Sequence, residues 1–302
     1  AYIVFYLNKH YILDSGDIVS IVSNSDAFDS FNNIINNYGT ILNIVSNGDF
    51  LFHIIVFALK NFFNQTSVGI LGILAFMTSS ITFYISSINI KQRKYLFFML
   101  LLFMMIFFTP RVINLFASGV RSGIAFVVLL IALMYLKGAK QFIFMTLSLI
   151  IHLSMAPIIG FYLLYKWIDK QRIRFSFDIY LLILLLSSFC ISIVTPQLNL
   201  TNSPMNQSIL YMSLVAFLAL LMIFTNKKVV RNVYGFISIG LILVVLLGYI
   251  NDFSFIRYIG NAIILYLFFL IKEGSLRSLN LFTIGYAPFF LLTLYYSIAN
   301  YW

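Results

Sequence analysis

Charge is what this chain has least of. Only 9% of its 302 residues are Asp, Glu, Lys or Arg, against about 25% in soluble domains. With 62% hydrophobic residues and a mean hydropathy of +0.99, that scarcity excludes an ordinary soluble fold. Cysteine is scarcer still. The single Cys190 lies inside an apolar run, which leaves no intramolecular disulfide and no thiolate metal site. The sequence also lacks HExxH, a Walker A loop, GxSxG and a signal-peptide pattern.

What the chain does have is long apolar runs. They are unbroken rather than alternating, which favours helices over a β-barrel. The expectation is an all-α polytopic integral membrane protein with short loops and about ten transmembrane segments. The runs cover 1–8 (a remnant), 66–89, 95–110, 119–136, 141–165, 178–195, 208–225, 233–250, 257–271 and 280–298. Residues 1–302 read as a single transmembrane domain whose N-terminal helix is truncated. Within it, 14–63 is an outer loop with amphipathic or half-inserted helices, and 64–302 is a helical bundle.

The net charge of +10 is a topology signal. Basic residues collect in five connectors: Lys91, Arg93 and Lys94; Lys137 and Lys140; Lys166, Lys170, Arg172 and Arg174; Lys227, Lys228 and Arg231; Lys272 and Arg277. Positive charge gathers on the cytoplasmic side of membrane proteins, so no nucleic-acid partner is expected. Asp14, Asp17, Asp26, Asp29, Asp49 and Asp252 then fall outside. The pattern makes one demand, because basic connectors flank both ends of 141–165. Pro157 and Gly160 in "IIHLSMAPIIG" offer a break there, so the run is read as a re-entrant pair of half-helices with its tip outside. The alternative is one kinked span with 166–174 outside.

Arg111, Arg121 and Arg257 run against this pattern, since each sits at the outer end of an apolar run. Snorkelling to headgroups, or pairing with a neighbour such as Asp252, would explain any one of them. Three together suit a phosphate-bearing ligand, because the guanidinium fork matches phosphate oxygens. A helix N-terminus at Arg121 and Arg257 adds a favourable dipole for the same anion. His152, at the re-entrant tip, is either a proton acceptor for a sugar hydroxyl or a structural residue bonded to a freed carbonyl. The acidic pairs Asp14/Asp17 and Asp26/Asp29 could share a divalent ion, but a solvated acidic loop explains them as well. No metal site and no cofactor are expected. Tyr258 or Phe255 could stack on sugars.

The stretches "NLFASGVRSGIAF", "LLIALMYLKGAKQFIF" and "LIIHLSMAPII" resemble the core of the EpsG-like branch of Wzy-type polysaccharide polymerases. Arg121 and His152 match the family's arginine and histidine, with Asn114 in the same opening segment. "DSGDIVSI" is similar to its outer Gly-x-Asp segment with Asp17 as the aspartate, although the residue between glycine and aspartate is absent. "FSFIRYIGN" is similar to its late arginine–tyrosine element, at Arg257 and Tyr258. The resemblance covers about 10–165, and beyond that only a hydropathy profile and Arg257.

It implies a GT-C-like membrane glycosyltransferase in the bacterial cytoplasmic membrane, acting on its outer face. The substrate would be an undecaprenyl-diphosphate-linked oligosaccharide, in contact with membrane lipids. A chain-length regulator and a flippase would be its partners. In that reading Arg121 and Arg257, with Arg111, Asn114 and Tyr258 in support, hold diphosphate and glycan. His152 acts as the base, with Asp252 or Asp17 competing for the role. The rivals are an O-antigen ligase, disfavoured by the short late outer loops; a non-catalytic polysaccharide transporter or flippase, disfavoured by the near absence of mid-span charge; and a membrane acyltransferase, which leaves the arginines unexplained.

The re-entrant reading has a direct test. Cysteines placed at Gly138 and Lys170 should react with a membrane-impermeant label from the same side. Labelling from opposite sides would establish the kinked span instead.

Overall fold

The computed structural model describes residues 50–63, 67–88, 96–117, 119–171, 176–197, 209–251, 255–273 and 275–299. Among them 93% are helical and none lies in a strand. The helices are α1 Phe50–Phe63, α2 Ser67–Ile88, α3 Leu96–Phe107, α4 Pro110–Ala117, α5 Val120–Tyr135 and α6 Gly138–Ile151. They continue with α7 Ala156–Lys170, α8 Phe177–Gln197, α9 Ile209–Thr225, α10 Val233–Ile250, α11 Arg257–Glu273 and α12 Leu276–Ala299. Short 3-10 turns lie at Leu153–Met155 and Lys227–Arg231.

Three of these helices contain apolar stretches long enough to cross a membrane: Phe177–Val194, Val233–Ile250 and Leu276–Tyr295. A fourth exists if α3 and α4, bent by 67° at Phe108–Thr109, count as one span. The apolar parts of α2, α5, α6 and α9 are shorter. The described residues are thus all-helical in class, with helices apolar and long enough to suit a membrane protein. Exposed leucine, isoleucine, methionine and phenylalanine on α3, α8 and α12 agree with that, since a soluble monomer rarely exposes so much contiguous apolar surface.

The chain divides into two compact units. Described residues of the first lie in 50–85 and 114–156, and those of the second in 86–113 and 157–299. In the first unit α5 and α6 form an antiparallel hairpin. Only Leu136 and Lys137 separate them, both extended, and the chain then re-enters helix through Gly138 at φ +59°. That left-handed conformation costs glycine little. Helix α1 packs on α6, and α5 packs on both α6 and the Leu153–Met155 turn. Most of α5 is buried, from Val120 through Ala132, so protein rather than lipid surrounds it.

The expected break in 141–165 is present, but its chemistry differs from the reading above. Helix α6 stops at His152, whose backbone is extended (φ −161°, ψ 120°). Pro157 lies in the first turn of α7, where a proline's missing N–H costs nothing. Gly160 sits inside α7 with open space around it. The break therefore belongs to His152, and the proline starts the next helix.

In the second unit α11 is the central element, buried continuously from Tyr258 to Leu270. Lipid tails are as apolar as leucine, so helices in a membrane associate through close packing and interhelical hydrogen bonds rather than through hydrophobic exclusion. Both devices are present. The Ser238 hydroxyl of α10 donates to the Ala262 carbonyl of α11 at 2.7 Å. Tyr266 of α11 donates to the Met222 carbonyl of α9 at 2.9 Å. Ser188 of α8 donates to the Gly240 carbonyl of α10 at 3.2 Å. Thr109, at the α3–α4 bend, shares a 2.6 Å hydrogen bond with Tyr286 of α12.

Two glycines give opposite expectations. A Cβ at Gly123 would stand 2.8 Å from the Leu115 carbonyl oxygen, which is backbone and cannot move aside. Gly123→Ala should therefore lower stability by about 1–3 kcal/mol. Gly160→Ala, with open space around it, should be neutral or raise stability by up to about 1 kcal/mol. Thermal unfolding of the purified protein in detergent measures both.

Candidate functional site

Arg121 is the second residue of α5 and is half-buried. The local fold explains its place. Gly119 caps α5 without a side chain, and its N–H donates to the Asn114 carbonyl at 2.7 Å. Gly123 donates to the Gly119 carbonyl at 2.8 Å. The two glycines let the end of α4 lie against the first turn of α5, with Phe116 and Leu115 buried against it. The "GVRSG" spacing is thus a close-approach device that carries an arginine in its middle.

His152 ends the other helix of the same hairpin. Its N–H donates to the Ser148 carbonyl at 3.0 Å, and its carbonyl accepts from Met155 N–H at 3.2 Å. Arg121 stands 14 residues before the end of α5, and His152 stands 14 residues beyond the start of α6. At 1.5 Å per residue both lie about 21 Å from the hairpin turn. Antiparallel packing therefore brings the arginine and the histidine to the same end, opposite Lys137 and Lys140. Packing of α5 on the Leu153–Met155 turn fits that register. Ser154 in that turn is buried, and its hydroxyl has no hydrogen-bond partner.

The remaining candidates fall elsewhere. Asp17 and Asp252 lie outside the described residues. Asn114 is half-buried in the first unit. Arg111, in the first turn of α4, belongs to the second unit. Its Nε donates to the Tyr211 hydroxyl at 2.8 Å, and its guanidinium lies 5.0 Å from that ring's centroid. Arg111 is thus engaged by protein. Tyr211 lies 100 positions away in sequence, and no local pattern could have pointed to it.

Arg257 is the exposed first residue of α11, in the second unit. Tyr258 and Phe255 stack on one another with centroids 6.1 Å apart and are both fully buried. In this arrangement both rings pack within the protein, with no face open to a ligand. Two polar atoms of α11, the Tyr258 hydroxyl and Asn261 Oδ1, are buried without a hydrogen bond. An asparagine in an otherwise apolar run was the visible signal for the second.

Among the described residues no three His, Cys, Asp or Glu side chains gather as a metal site.

No family model matches the chain, and neither the curated proteins nor the solved structures contain a match.

Three fully buried tyrosines, Tyr258, Tyr266 and Tyr286, should respond differently to loss of their hydroxyls. Tyr266→Phe and Tyr286→Phe each break an interhelical hydrogen bond and should cost about 0.5–1.5 kcal/mol. Tyr258→Phe removes a hydroxyl with no partner and should be neutral or stabilising. Melting of the three variants in one detergent ranks them. A Tyr258→Phe loss as large as the others would mean that its hydroxyl is bonded.

Proposed function

We propose that the chain is a membrane glycosyltransferase that polymerises undecaprenyl-diphosphate-linked oligosaccharide repeat units. It would act on the outer face of the bacterial cytoplasmic membrane, through a GT-C-like bundle of about ten segments. The observation that carries the proposal is the hairpin register. A half-buried arginine at a helix N-terminus and a histidine at a helix break share one end of α5–α6. The other end carries Lys137 and Lys140, the side that the charge rule assigns to the cytoplasm.

The roles follow from the chemistry. The acceptor sugar hydroxyl attacks the anomeric carbon of the donor. The bond from that carbon to the diphosphate oxygen breaks, and the lipid diphosphate leaves with added negative charge. Arg121, helped by the positive end of α5, stabilises that charge. His152 takes the proton of the attacking hydroxyl, with Asp252 or Asp17 as the competing base. Arg257 is the second candidate cation, and Arg111, held by Tyr211, is a structural support. Arginines in these roles replace the divalent ion that many glycosyltransferases use.

The test is the length distribution of polymer made by purified protein from lipid-linked repeat units. Arg121→Lys keeps the charge and loses the two-pronged grip on phosphate. It should lower the rate by about a hundredfold or more, and wild-type activity should survive chelation of divalent ions. Full-length polymer from the lysine variant would reduce Arg121 to a snorkelling residue. Activity lost to chelator and restored by a divalent ion would move the chemistry to the acidic stretch at Asp14 and Asp17.

A further inference from the structure

The second unit carries a second anion-suited feature, at its basic end, that the polymerase reading does not use. The turn Lys227–Arg231 is a five-residue 3-10 helix whose two valines, Val229 and Val230, are fully buried. Asn226 and Asn232 fix its ends: Asn226 Oδ1 accepts from Lys228 N–H at 2.9 Å, and Asn232 Oδ1 accepts from Tyr234 N–H at 3.0 Å. Tyr165 of α7 donates to the Arg231 carbonyl at 2.7 Å. Gly235 lets the turn lie flat on α10, because a Cβ there would run into the Val229 carbonyl. A connector that only reversed the chain would need none of these fastenings.

The anchored turn presents Lys227, Lys228 and Arg231, all exposed. Lys166 and Lys170 at the end of α7, and Lys272 at the end of α11, belong to the same end of the unit. The Tyr165–Arg231 hydrogen bond ties α7 to the turn, and Lys272 donates to Tyr234 at 3.1 Å. Asp169 and Glu273 are the exposed acids on these segments, so cations outnumber them. Lys170, Lys227 and Lys228 have no ion pair among the described residues.

Two large side chains decide what the anion is attached to. Phe224, 76% exposed, lies one turn before Lys227, and Trp167, 60% exposed, lies between Lys166 and Lys170. An exposed aromatic beside exposed lysine, repeated on α7 and α9, matches the boundary where acyl chain meets phosphate. A soluble acidic partner would meet the cations but gain nothing from aromatics on the adjoining apolar surface.

The geometry points to a binding site for the phosphate of an anionic phospholipid headgroup, built by the Lys227–Arg231 turn with Lys166 and Lys170, and flanked by Phe224 and Trp167. It rests on the membrane assignment and is independent of the polymerase reading.

The experiment uses the full chain in detergent, titrated with short-chain phosphatidylglycerol, short-chain phosphatidylcholine or inorganic phosphate while thermal unfolding is followed. Phosphatidylglycerol should raise the wild-type melting temperature, and the other two should not. The triple variant Lys227→Gln/Lys228→Gln/Arg231→Gln should melt like wild type without lipid and bind phosphatidylglycerol about tenfold more weakly or worse. If the triple variant folds poorly, the wild type alone still decides. Raising salt from about 0.05 to about 0.3 M should weaken its phosphatidylglycerol response severalfold. Equal stabilisation by phosphatidylcholine, equal stabilisation by inorganic phosphate, a salt-independent response, or an unchanged affinity in a folded triple variant would each overturn the site.

Discussion

Within a bilayer no water is available to satisfy a backbone N–H or carbonyl that leaves the helix. A helix break at that depth is therefore a place where protein must supply the missing partners. At His152 the extended backbone is held by Ser148 and Met155, with Met155, Ser154 and Ile151 buried around it. At the α3–α4 bend, Thr109 bonds the Met105 carbonyl at 2.8 Å and meets Tyr286. The first of these irregular places is His152 itself, and the second lies two residues before Arg111. A break built into packed protein is a fixed point from which a polar side chain can be presented with little loss of order.

The same constraint makes the α5–α6 hairpin legible as a device. Two helices of near-equal length and a tight turn force their far ends into register. The sequence distance between Arg121 and His152 then becomes nearness to one end of the hairpin. Glycines at 119 and 123 tighten the arginine's end, and the helix break defines the histidine's end.

Much of the helix map could be read from hydropathy. The runs 233–250 and 208–225 return as α10 and α9 within a residue, because long apolar stretches leave few other solutions. The break in 141–165 was visible too, although proline was credited with what histidine's extended backbone does. Burial was not legible. The run 257–271 looks like any other span, yet α11 is enclosed along nearly its whole length, since periodicity cannot separate lipid from protein around a uniformly apolar helix. Side-chain pairing was equally hidden, as Arg111 with Tyr211 and Thr109 with Tyr286 show. Arg121 and His152 could be singled out because a polar group in such a chain stands alone against its surroundings.

The central claim is that Arg121 and His152 serve one transition state. A double-mutant cycle measures this most directly, with Arg121→Lys, His152→Gln and their combination assayed for polymer formation from purified lipid-linked repeat units. Groups that act as a unit are strongly non-additive, so the double variant should be within about threefold of the more impaired single variant. Defects that multiply in full would show two independent residues, and the shared site would be contradicted.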